Sequence, residues 1–313
     1  LVSLVIPAKN ESDDIGATLD ACLAMRYEPK EILVVDDSTD DTPQIVAQYA
    51  PRGVRLIHRE VNSNACCGAR NLGMRSAKGE IVVLMNGDVR PLPDFIDRIL
   101  EHYRNGADFL IVDSRVMNPE NPWARFVHAE HLAGRSAAVD WSEGFSCRRA
   151  AAEAVGYIPG DYPIGFCRDF SFGRALLDAG FNKHYDPTIP MDHVAPRTLR
   201  EFWGQRVWRG SFSPLQRFYM RGHSVPGVVV IEFLRACRTV AVNVLVVPLL
   251  VGAWRLSRAV PPASASFPAF VRACLVRDAG AVVGAWRGLR KLLRAEGWRS
   301  RYTGAGASAA SAR

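Results

Sequence analysis

The residues with chemistry to offer fall into three clusters, each directly behind a short apolar run. Leu1 to Ile6 leads into Pro7-Ala8-Lys9-Asn10-Glu11, Glu31 to Val35 into Asp36-Asp37-Ser38-Thr39-Asp40-Asp41, and Ile81 to Met85 into Asn86-Gly87-Asp88. Carboxylates accept hydrogen bonds from a base N–H or from ribose hydroxyls, and they ligate hard divalent cations through oxygen. In the third cluster, where two acids would suggest a site for a divalent ion and a phosphate ester, an amide stands in the first place and Asp88 is the one carboxylate. Further along, Phe166-Cys167-Arg168-Asp169 sets an acid at the start of an expected helix, and Asp192-His193-Val194 offers an imidazole.

The elements that must position these clusters follow from periodicity. Strand-length apolar runs at 1–6, 31–35, 54–58, 81–85 and 109–112 alternate with helical stretches at 14–25, 43–49, 65–77 and 93–103. Helix starts are marked by Ser12, Thr42-Pro43 and Pro93-Asp94. Such alternation predicts an α/β fold with a mainly parallel central sheet flanked by helices. The carboxyl ends of parallel strands share one rim, and ligands bind there. All three clusters therefore converge on one edge. Residues 113–195 read as less regular, with one further helix over 169–179 stopped by Gly180.

The chain has 313 residues, 48% of them hydrophobic, enough for one large domain and an appendage. Seven cysteines without Cys-x-x-Cys or zinc spacing argue against a disulfide framework and a structural metal, and favour a reducing compartment. The chain opens on Leu1-Val2-Ser3 with no basic leader to read as a signal peptide, and native residues are expected ahead of it. Charge is unevenly spread. Residues 1–195 carry 20 Lys/Arg against 28 Asp/Glu, and residues 196–313 carry 19 against 4. An acidic body with a basic tail points to nucleic acid or an anionic membrane surface as partner.

Thr239 to Trp254 is uncharged and, extended back through Val228, is long enough for a membrane helix, although Glu232, Arg235 and Arg238 fall inside it. Phe267 to Leu289 is a weaker second candidate. The five Arg and six aromatics between Arg200 and Arg221 suit a membrane interface better than nucleic acid, because they lead straight into the apolar window. No nucleic-acid partner is expected. Basic flanks favour the cytoplasmic side.

In this order, the stretches "VSLVIPAKNE", "ILVVDDSTDDT", "CCGARNLGMRSAKGEIVVLMNGD" and "VGYIPGDYPIGFCRDFSFGRALLDAGF" resemble the inverting glycosyltransferases of family 2, which have a GT-A fold. The resemblance implies a catalytic domain over 1–195, with a nucleotide-sugar-binding half at 1–112 and an acceptor half at 113–195. A basic helical membrane-associated region at 196–302 and a disordered tail at 303–313 would follow. It implies that Pro7, Ala8, Glu11, Asp36 and Asp37 hold the nucleoside, that Arg70 approaches the diphosphate, and that Asn86 and Gly87 contact sugar or ribose. Asp88, completed by His193, would bind Mg2+ or Mn2+, and Asp169 would be the general base. Arg168 replaces the family's usual Glu. Gln205, Trp208 and Arg209 stand where processive members carry an acceptor motif, with the last two residue types in reversed order. The implied partners are a nucleotide-diphosphate sugar, a lipid-linked or glycan acceptor, and the cell membrane, with the catalytic domain cytoplasmic. Two alternatives stay open. One is a polyprenyl-phosphate acceptor that needs no base. The other is a degenerate binding or scaffold protein, for which Asn86 and Arg168 would be signs of decay. A sugar nucleotidyltransferase is disfavoured, because the first loop lacks a Gly-rich phosphate cradle.

Overall fold

The computed structural model describes residues 1–59, 65–134, 136, 138–158, 169–261 and 263–294. They form two compact units, Leu1–Met117 with Gly134–Val194, and Asn118–Ala133 with the described residues from Ala195 onward.

In the first unit the strands are β1 (Val2–Ala8), β2 (Lys30–Asp36), β3 (Val54–His58), β4 (Ile81–Leu84), β5 (Val89–Pro91), β6 (Phe109–Val116), β7 (Phe145–Arg148) and β8 (Lys183–His193). Its helices are α1 (Ile15–Leu23), α2 (Thr42–Ala47), α3 (Ala65–Ser76), α4 (Phe95–Arg104), α6 (Arg149–Ala154) and α7 (Phe170–Asp178). The strands make one eight-stranded sheet in the order β3-β2-β1-β4-β7-β6-β8-β5. Side chains alternate across it. Leu4, Ile6, Val34 and Val83 enter one core layer and Val5, Leu33, Val82 and Leu84 the other, as expected for strands covered on both faces.

The β3-β2-β1-β4 half is parallel throughout, as the alternating pattern predicts. Beyond β4 the sheet is mixed, since β7 runs antiparallel to β4 and β6, and β5 antiparallel to β8. The irregular reading of 113–195 missed β7 and β8. β8 was hidden by Pro187 and Pro190, residues that occur in strands mainly at edges and bulges. Its register against β6 does shift between Val112 and Asp113.

The second unit contains α5 (Pro122–Gly134), α8 (Leu199–Tyr219), α9 (Val225–Val244), α10 (Val247–Ser257) and α11 (Ala263–Arg294). Residues 118–133, read above as part of the acceptor half, group with this unit. The reason is aromatic packing, in which Trp123 and Phe126 of α5 contact Phe202, and Phe126 contacts Phe270. α8 and α11 lie so close that a Cβ on Gly284 would fall 2.3 Å from the Val207 carbonyl oxygen.

The apolar window is not a continuous helix. α9 ends at Val244 and α10 begins at Val247, with Val246 in the left-handed region at φ 59° and the two axes bent by 84°. No single helix among the described residues is long and apolar enough to cross a membrane, and the bent pair α9–α10 meets that test only jointly. Phe267 to Leu289 lies within α11. The tail at 303–313 lies outside the described residues. Cys22, Cys147 and Cys274 are buried free thiols and Cys237 is an exposed one. Burial pushes the Cys22 and Cys147 thiols up to about 12. Cys67 is disulfide-bonded, a cross-link not expected from the cysteine spacing.

Candidate active site

The loops after β1 and β2 are tied into one ledge. Asn10 adopts φ 59°, a conformation Asn tolerates better than most residues. Its Oδ1 accepts from the Thr39 backbone N–H at 2.9 Å, and its own N–H donates to Ser38 Oγ at 2.7 Å. The Glu11 N–H donates to Thr42 Oγ1 at 2.9 Å. Asp40 accepts from the Ser12 N–H and from both the N–H and hydroxyl of Thr42. Burial alone would raise the Asp40 carboxyl, but these hydrogen bonds outweigh it and hold it below the usual carboxylate value.

The expected nucleoside residues gather behind this ledge. Pro7 and Ala8 pair in register with Val35 and Asp36, and the Asp37 N–H donates to the Ala8 carbonyl. Asp36 is fully buried. Neither of its carboxylate oxygens has a hydrogen-bond partner among the described residues, and His58 Nδ1 lies 3.5 Å away. Asp37 is gripped in a fork by Arg59, whose Nε and Nη2 donate at 3.2 and 2.7 Å. Arg59 carries no motif of its own and was missed in the sequence; a cation one residue beyond β3, on the strand paired to β2, is the signal that could have found it.

The turn Asn86-Gly87-Asp88 follows β4 on the same rim. A Cβ on Gly87 would sit 2.8 Å from Glu11 Cγ, so glycine is what lets this turn approach the first loop. The Gly87 carbonyl accepts from Thr18 Oγ1, and Arg90 donates to that hydroxyl at 2.8 Å and to Asp14 at 2.9 Å. Across β5 and β8, Val89 pairs with His193, and the Val194 N–H donates to the Asp88 carbonyl at 3.0 Å. Asp88, directly ahead of β5, and His193, the last residue of β8, thus stand at the paired ends of neighbouring strands. Beside them Arg115 clasps Asp192 at 2.5 and 2.7 Å, and that carboxylate pushes the Arg115 guanidinium up.

Arg70 joins two of the predicted positions. The residue is 4% exposed. Nη2 donates to Asn86 Oδ1 at 2.8 Å and Nη1 to Asp169 Oδ2 at 3.1 Å. Its flat face lies 5.1 Å from the Trp141 ring, which stacks in turn on Phe145. Arg70 is therefore not on a solvated helix face, and Trp141, which no motif marked, helps hold it. The rim gathers ledge, turn and Asp169 into one polar site, with a buried arginine linking the last two.

A family model described as "Glycosyl transferase family 2" matches residues 3–161, about half of the chain. The chain belongs to glycosyl transferase family 2. Among curated relatives, this family 2 chain is 33% identical over 114 residues to the succinoglycan biosynthesis protein ExoO of Rhizobium meliloti, covering 36% of this chain and 32% of ExoO. It is 22% identical over 225 residues to the poly-beta-1,6-N-acetyl-D-glucosamine synthase of Staphylococcus aureus, covering 66% of this chain and 53% of that one. It spans about a third to a half of the length of these relatives. Among solved structures, the mannosyltransferase PcManGT of Pyrobaculum calidifontis, determined with GDP-Man and Mn2+, matches at TM-score 0.59 and 20% identity over 92% of this chain and 86% of that one. S. aureus TarS 1-349 matches at TM-score 0.51 and 16% identity over 91% of each chain. The shared architecture is the GT-A fold.

Of the remaining predicted residues, Arg168 lies outside the described residues. Gln205, Trp208 and Arg209 lie on α8 in the second unit. There Trp208 is 51% exposed and edge-on to Phe212. The buried cation of that segment is Arg206, which donates to Glu130 at 2.6 Å and faces Phe202. The oxygen-and-imidazole donor set of Asp88 and His193 fits a hard divalent ion that keeps waters and phosphate oxygens in its shell. No group of three or more acidic, His or Cys ligands occurs among the described residues, so these residues would give such an ion at most two ligands of these types.

Proposed function

We propose that this family 2 domain transfers a sugar, with inversion, from a nucleotide-diphosphate sugar to a lipid-linked or glycan acceptor at a membrane. The observation that carries the reading is the Arg70 bridge, because it draws the turn after β4 and the acid ahead of α7 to the two arms of one buried guanidinium. The nucleoside would be taken by the Pro7–Glu11 ledge with Asp36 and Asp37, whose carboxylates suit base N–H groups and ribose hydroxyls. Asn86 and Gly87 would face sugar or ribose. Asp88 with His193 would hold Mg2+ or Mn2+, which when bound neutralises charge on the leaving diphosphate. Asp169 would take the acceptor hydroxyl proton as its oxygen attacks the anomeric carbon. The Pyrobaculum neighbour, determined with GDP-Man and Mn2+, supports a nucleotide sugar and a divalent ion as the ligands.

One observation favours a second reading of the acceptor. Asp169 is already engaged by Arg70, and an acceptor that is itself a polyprenyl phosphate anion would need no base. A screen of nucleotide sugars with Mn2+, reading hydrolysis and transfer to both acceptor classes, tests both readings. Asp169→Asn should abolish transfer to hydroxyl acceptors. Full retention with polyprenyl phosphate would select the second reading, and no metal-dependent turnover of any nucleotide sugar would reject both.

A further inference from the structure

Helix α9 is patterned inside out. Val230, Phe233, Cys237, Val240 and Val244 recur at three- and four-residue intervals, so they share one face. That face is turned outward, with Val230 56%, Phe233 66% and Val244 72% exposed. Glu232 and Asn243 turn inward instead. Glu232 is buried, accepting from Ser213 Oγ at 2.7 Å and Arg217 Nε at 2.9 Å. Arg235 joins the same carboxylate, and Asn243 donates to Asp278 of α11 at 3.3 Å. The charges that sit awkwardly in the apolar window are therefore largely absorbed by helix partners. The stripe continues over Leu245 and Val246 at the corner and onto Val247, Val251 and Trp254 of α10, all exposed.

An apolar ridge of this extent is costly in water, and exposed contiguous apolar surface marks an interaction site. Cations border it. Arg238 on α9, Arg255 on α10 and Arg258 just past its end are exposed, with Arg258 lying 4.8 Å from the Trp254 ring. Arginine beside tryptophan at the margin of an apolar face is suited to the headgroup layer of an anionic bilayer. We propose that the bent pair α9–α10 lies in the plane of an anionic membrane as a shallow wedge, with the Val244–Val247 corner inserted in one leaflet. The orientation follows from Arg238. A transbilayer α9 would carry it near mid-membrane, where a cation is expensive, whereas an in-plane helix leaves it at the headgroups. This deepens the membrane part of the proposed function and is independent of the transfer chemistry.

The test uses the full chain labelled at Cys237, a natural exposed thiol on the stripe, with an environment-sensitive fluorophore. Vesicles containing phosphatidylglycerol should blue-shift the emission, pure phosphatidylcholine should do so more weakly, and quenching should be strongest with shallowly brominated lipids. Val244→Glu with Val247→Glu should weaken vesicle partitioning by roughly tenfold or more, since burial of one Val side chain is already worth about that factor. Arg238→Glu with Arg258→Glu should remove the preference for anionic lipid. Circular dichroism of each variant should match the parent, because all four positions are exposed. Strongest quenching by deeply brominated lipids would mean a spanning helix and overturn the proposal. So would a shift that appears without lipid and rises with protein concentration, which would make a second copy the occupant. No shift with any vesicle would overturn it too, while leaving nucleotide-sugar turnover as a separate readout of the transfer reading.

Discussion

Arg70 and Asp169 stand 99 residues apart in sequence and meet in a 3.1 Å ion pair, with Asn86 on the other arm of the same guanidinium. The guanidinium is nearly dry while the carboxylate keeps 25% side-chain exposure, so the pair is weakly screened on one side only. Arg70→Ala should destabilise the first unit by roughly 1–3 kcal/mol, less than for a fully buried pair, and remove sugar transfer. Arg70→Lys keeps the charge but cannot span both acceptors. It should lower kcat by about tenfold or more with a smaller drop in Tm. Melting curves and nucleotide-sugar kinetics on both variants check this.

Asn86→Asp supplies the acid that the turn lacks. Because Asn86 Oδ1 already accepts from Arg70, the new carboxylate should pair with that guanidinium and compete with Asp169 for it. Mn2+ affinity is therefore expected to change little, while turnover falls. Calorimetric titration of Mn2+ with a nucleoside diphosphate checks the first point; a large gain in metal affinity would show that position 86 faces the ion.

At Gly87 the test is steric. A Cβ there would lie 2.8 Å from Glu11 Cγ, and overpacking of this kind costs about 1–3 kcal/mol when neighbours must shift. Gly87→Ala should push the first loop away from the turn and weaken nucleotide binding, read by titration alongside the Tm. Glu11→Ala in the same chain should restore part of the lost Tm.

Legibility in the sequence tracked locality. β1 to β4 are mostly apolar runs alternating with helical stretches, so a parallel sheet with a shared rim could be read directly, though not the order of its strands. β7, four residues long, and β8 could not; in β8 Pro187 and Pro190 break the strand signal, and the pairing that rescues it comes from β6. The rim acids were marked by their motifs. Arg59, which holds Asp37, had only its place one residue beyond β3 to mark it, while Arg90, which donates to Thr18 and Asp14, and Trp141, which lies against Arg70, act through distant contacts that leave no local pattern. The window at Thr239–Trp254 showed its composition but not its corner. Pro248 at the start of α10 admits a new helix there, and nothing local requires the 84° bend.

Acid should loosen the ledge through Asp40. Its carboxyl is held below the unfolded value by Thr42 and Ser12 against the opposing effect of burial. The contribution is therefore complete above the unfolded carboxylate pKa, about 3.9, and is lost as pH falls through the lower folded value. Asp40→Asn keeps one acceptor oxygen and should forfeit the Ser12 contact. Urea melts of parent and variant should differ at neutral pH and converge in strong acid. A constant gap down to the lowest pH would assign the effect to shape and not to charge.

The second unit depends on backbone proximity between α8 and α11. Cβ atoms on Gly284 and Gly288 would fall 2.3 and 2.1 Å from the Val207 and Ser211 carbonyl oxygens. These contacts are to backbone, which cannot rotate away, so Gly284→Leu must separate the helices and should cost more than about 3 kcal/mol, the upper range for ordinary overpacking. The buried ion pairs that α8 contributes, Arg206 with Glu130 and Arg217 with Glu232, would lose their alignment as it moves. Hydrogen exchange should accelerate in α8 and α11 while the β1 and β4 amides keep their protection, because their core layers lie wholly within the first unit. Equal loss of protection in both units would mean that they unfold as one.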